Sequence, residues 1–86
     1  MKTYTQVEAL TSHEDCRQHF IRGITECTSH LDVGQVRQAQ FALLQANASV
    51  AQGMIWAEML GIDPAGWYSR MLDISALWER CENARR

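Results

Sequence analysis

The sequence predicts an all-α protein: three helices arranged around a long central one, at about residues 12–30, 33–60 and 64–83, with a short extra helix expected at 5–10. Three observations carry this. Apolar residues recur at alternating spacings of three and four in three separate stretches. Each stretch is bounded by recognisable start and stop residues. Between them, residues 38 to 57 (QAQFALLQANASVAQGMIWA) contain no charged side chain, although 21% of the whole chain is charged.

The first helix is announced by TSHED, where Thr11 or Ser12 can cap and Glu14 or Asp15 supplies the acidic residue of a capping box near the positive end of the helix dipole. Cys16, Phe20, Gly23, Ile24, Cys27 and Leu31 then form one apolar stripe, with Glu14, Gln18, Arg22, Thr25 and Ser29 opposite. Asp32 followed by Gln35 reads as the capping box of the second helix. That helix has no proline to stop it before position 64, so it spans about 42 Å at 1.5 Å per residue. Gly61 suits a left-handed residue after its last turn, with Ile62 in the apolar position of a Schellman motif. Asp63 caps the third helix, and Pro64 takes its first position, where the missing N–H costs nothing. Trp67, Met71, Ile74, Trp78 and Cys81 form the predicted apolar face of that helix, flanked by Tyr68 and Leu77.

The central helix has two apolar faces. Val36, Ala39, Leu43, Ala46, Val50, Gly53, Ala57 and Leu60 make one stripe, rich in small residues, joined at its edges by Ala42 and Met54. Phe41, Leu44, Ala48, Ala51, Ile55 and Met59 make a second on nearly the opposite side. Gln38, Gln45, Ser49 and Gln52 form a polar strip between them, as Gln40 and Asn47 do on the other flank, and Trp56 falls on the first of these strips. Six Gln, Asn or Ser side chains within twenty positions argue against a membrane span.

Composition bounds the function. At 86 residues the chain is a single domain, 1–86, of a size that buries only about 60 to 65% of its unfolded surface. Eight Lys+Arg against ten Asp+Glu provide no basic field for nucleic acid. Three cysteines, an odd number, and a start (MKTYTQVEAL) without the apolar core of a secretory signal lead us to expect reduced thiols in the cytoplasm.

Chemistry is weakly represented. His13, Cys16, Cys27 and His30 have zinc-binding side chains, but the two cysteines are eleven residues apart, about 16 Å along one helix, and both fall inside its apolar stripe. The same burial argues against a Cys–His dyad, and the five glycines stand alone rather than in a phosphate loop. We therefore expect no metal, no cofactor and no enzymatic activity. The third helix could mimic the recognition helix of a small DNA-binding regulator, with Arg70, Arg80 and Asn83, but Asp73, Glu79 and Glu82 would repel phosphate.

The expectation is therefore a helical protein that acts by protein–protein contact. It would be a homodimer built on the central helix, with Phe41, Leu44, Ala48, Ala51, Ile55, Trp56 and Met59 as interface candidates. The alternative is a closed monomer with one short helix on each apolar side. By analogy from size and lack of chemistry, and not from any motif, the chain would act as a small adaptor, regulator or inhibitor of a larger bacterial or phage assembly, for example an anti-CRISPR-type inhibitor.

Overall fold

Ser12 opens the first helix as expected: its backbone is extended and its Oγ accepts a hydrogen bond from the Asp15 N–H at 3.0 Å. In the computed structural model, which describes residues 12–86, this helix is α1 (His13–Asp32), followed by α2 (Val36–Leu60) and α3 (Ala65–Ala84). No strand occurs among the described residues. Thr11 and the short helix expected at 5–10 lie outside them.

The turn between α1 and α2 corrects one boundary. Asp32 does not cap α2; it is the last residue of α1. Gly34 takes the left-handed position at φ 78°, with its N–H bonded to Leu31 O at 3.1 Å and the Gln35 N–H to His30 O at 2.8 Å. These two bonds are a Schellman motif. The punctuation at 32–35 thus ends α1 rather than starting α2, which begins at Val36 without a side-chain cap. Where an apolar contact usually seals such a motif, His30 Nδ1 meets Gln35 Oε1 at 2.8 Å.

The turn between α2 and α3 follows the sequence closely. Gly61 is left-handed at φ 70°, Ile62 N–H reaches Ala57 O at 2.8 Å, and Gly61 N–H reaches Glu58 O at 3.3 Å. Asp63 Oδ1 accepts from the Ala65 N–H at 3.0 Å, and Pro64 sits one position earlier than expected, as the cap rather than the first helical residue.

Both flanking helices pack on the same side of α2. Ala39, Ala42, Leu43, Ala46, Val50, Gly53 and Ala57 are all buried, so the small-residue stripe is covered from Ala39 to Ala57. Helix α1 runs back along it: a Cβ built on Gly23 would lie 3.0 Å from Ala46 Cβ and 3.1 Å from the Ala42 carbonyl oxygen. Helix α3 runs back along its whole length, with Trp67 at Gly53 and Glu82 near Gln40. The two flanking helices touch α2 far more than each other. The Cα envelope is accordingly thin, 42 × 32 × 15 Å, the depth of two helix layers at the usual 8–10 Å spacing. The closed monomer with one helix per apolar side does not form.

The core is otherwise close to the predicted one. Cys16, Phe20, Gly23 and Cys27 of α1 are buried, with Ile24 and Leu31 packed against them. In α3 the buried residues are Trp67, Ile74, Leu77 and Cys81, while Met71 and Trp78 are exposed. This corrects the predicted face by part of a turn. Arg70 takes the inward edge instead, its guanidinium 4.6 Å above the Trp67 ring and 5.6 Å from that of Phe20. A charged residue thereby occupies the inward edge of the helix by stacking on aromatics.

Trp67 ties the three helices together. It is 1% exposed, its Nε1–H donates to His13 Nε2 at 2.8 Å, and its ring meets His13 and Phe20 edge to face at 5.5 and 6.5 Å. The indole lies directly against Gly53, so that a Cβ there would clash with its six-membered ring. Gly53→Ala therefore destabilises the fold, by about 1–3 kcal/mol from overpacking, although glycine-to-alanine inside a helix ordinarily stabilises by about 1 kcal/mol. Urea unfolding of the two proteins, compared at constant slope, measures the sign.

Candidate protein interface

The sequence placed two apolar stripes on α2, and the structure covers one of them. On the other, Phe41, Leu44, Ile55 and Met59 are 63%, 57%, 52% and 68% exposed, with Ala48 and Ala51 exposed between them. No element among the described residues covers this row. Six of the seven predicted interface residues thus share one open face. The seventh, Trp56, is half-buried and packed against the core, so it belongs to the rim of the covered side rather than to the open face.

Hollows flank the row. Between α2 and α3 lies a groove of about 670 Å³, lined by Leu44, Asn47, Ser75 and Trp78 and by the charged end of α3 at Glu79 and Glu82. Nearer the α2–α3 turn is one of about 400 Å³, lined by Met54, Ile55, Glu58, Ile62, Pro64 and Tyr68. On the α1 side, Phe41 borders a smaller hollow of about 280 Å³ with Arg37 and Glu26. Tyr68, Met71 and Leu72 add exposed apolar surface on α3. A ridge with small residues at its centre, bulky residues toward its ends and hollows beside it suits an approaching helix, whose side chains enter the hollows while its backbone nears the alanines.

The chemical candidates are placed elsewhere. Cys16, Cys27 and Cys81 are unpaired and fully buried. Burial, and then the neighbouring Cys81 thiol, push the Cys27 thiol up to about 11; burial and the charge of Asp15 raise that of Cys16. The nearness of Cys81 to Cys27 was not visible in the sequence, because it depends on how α3 lies against α1. His13 accepts from Trp67, and His30 bonds Gln35. His19 Nδ1 is hydrogen-bonded to Ser49 Oγ, which also donates to Gln45 O at 3.1 Å. Ser49, predicted on a polar strip, is thus fully buried and satisfied under α1. No group of three or more His, Cys, Asp or Glu side chains is placed to hold a metal among the described residues.

The cations of α3 are partly committed as well. Arg70 is stacked on two rings, and Arg85 lies 3.8 Å from Glu82. No described helix is long and apolar enough to cross a membrane. No protein-family model matches the chain, and no curated protein or solved structure resembles it significantly.

The raised Cys27 thiol has a consequence for stability. Its contribution is fully present below the pH at which an unfolded thiol ionises. It is lost as pH rises toward 11, because the unfolded chain gives up its proton first. Thermal melts at pH 7.5 and 10.5 should show a loss of about 1–2 kcal/mol from this thiol. Cys27→Ala should lessen the pH dependence while lowering stability at both values.

Proposed function

We propose that this protein is a non-enzymatic helical binding protein that acts by protein–protein contact through the open face of α2, as an adaptor, regulator or inhibitor of a larger bacterial or phage assembly. It works as a homodimer. An anti-CRISPR-type inhibitor is one member of that class, by analogy of size alone. The observation that carries the reading is the row of Phe41, Leu44, Ile55 and Met59, left uncovered by the described residues, on a helix with no charge between residues 38 and 57.

Isolated exposed apolar residues are ordinary, but contiguous ones mark interaction sites. Burying each of these side chains would contribute about 1.5–3 kcal/mol. Elsewhere the three thiols are fully buried, Arg70 is stacked on two rings and Arg85 lies beside Glu82. Unpaired thiols fit a reducing compartment such as the cytoplasm.

Leu44→Glu and Ile55→Glu test this. Both sites are exposed, so each variant should keep its helicity and stay within about 0.5 kcal/mol of the parent in monomer stability. Each should also abolish association measured by light scattering or partner capture. Unfolding of both variants would show that these residues belong to a core, and the reading would fall.

A further inference from the structure

Helix α2 contains two charged residues, Arg37 in its first turn and Glu58 in its last. Each stands at the wrong end for its own helix. The N-terminus of a helix carries partial positive charge and its C-terminus partial negative charge, so a cation at the start and an anion at the end are both unfavourable. Both side chains are exposed, and neither has an ion-pair or hydrogen-bond partner among the described residues. Both also fall on the open stripe, which continues at three- and four-residue steps as 37, 41, 44, 48, 51, 55 and 58.

We infer that the occupant of this face is a second copy of the chain, with the two α2 helices antiparallel about a two-fold axis midway between Ala48 and Ala51. This rests on the homodimer reading above and gives it an orientation and a register. The stripe is nearly symmetric about that point. Turned end for end, it sets Ala48 against Ala51 of the second copy and Leu44 against Ile55, large against large with small residues at the crossing. Such self-complementarity is what a two-fold interface requires, since residue i meets j and j meets i. The row can therefore be closed by itself.

The charges fix the direction. In the antiparallel register Arg37 and the second copy's Glu58 are four residues out of step, about 6 Å along the axis, within reach of two long side chains. The contact occurs twice by symmetry. Each charge also lies beside the opposite end of the second copy's α2, whose dipole favours it. Phe41 comes to the level of the second copy's Glu58, beside the hollow lined by Met54, Ile55, Ile62, Pro64 and Tyr68. A parallel pair would instead set Arg37 against Arg37 and Glu58 against Glu58. The net charge of −2 leaves little long-range repulsion between copies.

The experiment is charge reversal on the full chain, read by sedimentation equilibrium and circular dichroism. The parent should be a dimer that weakens with added salt. Arg37→Glu and Glu58→Arg should each raise the dissociation constant on the order of 10- to 100-fold, and the double variant should recover most of the loss. The helicity of each single variant should hold or rise, because each reversal puts the favourable charge at its own helix end; loss of association therefore cannot be mistaken for unfolding. Single variants that dimerise like the parent, or a double variant that fails to recover, would overturn the antiparallel pairing. A parent that is monomeric at millimolar concentration would overturn the second copy as occupant. In that event a folded Leu44→Glu would leave the docking reading standing for another protein, whereas an unfolded one would remove both.

Discussion

The fold turns on the seat of Trp67 against Gly53. An indole can lie flat on a helix only where no Cβ projects, and α2 offers that position once along its inner stripe. The bond from Trp67 to His13 then brings the start of α1 to the same place, and Arg70 lies over the aromatic pair from above. One residue of α3 therefore sets where both flanking helices lie. A buried tryptophan must satisfy its N–H, and here the partner is on α1, so α3 cannot cross to the far side of α2 without orphaning that donor.

Size complementarity acts in the same direction. The inner stripe of α2 contains Ala39, Ala42, Ala46, Gly53 and Ala57, and the helices that cover it bring Phe20, Trp67, Ile74 and Leu77. Large side chains against small ones fill space at native density with the backbones close, as at Gly23, where an added Cβ would lie only 3.0 Å from Ala46 Cβ. The outer stripe, with Phe41, Leu44, Ile55 and Met59, has no glycine on which the Trp67 ring could be seated. Both described flanking helices therefore settle on the inner face. The open face is thus a consequence of how the core is satisfied.

Local chemistry made much of this legible. The stripe of α1, the cap at Ser12 and the Schellman motif at Gly61 are properties of neighbouring residues, and they fell where the sequence put them. The errors arose where a residue's role depends on another helix. Arg70 looked like a solvent-facing cation, but it lies over Trp67 of its own helix and Phe20 of α1, on the inward edge predicted for Met71 and Trp78. Ser49 looked like part of a wetted strip until His19 closed over it. At residues 32–35 the ambiguity was intrinsic: Asp-x-x-Gln and a glycine stop overlap, and the left-handed Gly34 decides between them. The two stripes of α2 were legible from periodicity, but which one would be covered was not, since that choice follows from Trp67.

The energetic position of the open face explains why it matters. A chain of this size retains a small margin of stability, and a row of bulky apolar residues in water adds nothing to it. Replacing that row by Gln or Lys would leave the inner packing intact and raise solubility, so folding alone gives no reason for those side chains to be there. Arg37 and Glu58 sharpen the point, since exchanging them would improve the isolated helix by relieving both dipole contacts. Hydrophobic surplus and a charge order inverted for the isolated helix occur on the same stripe. Both would be accommodated by the one operation proposed above, the rotation that lays the stripe against itself, and that coincidence is the support for the proposed association.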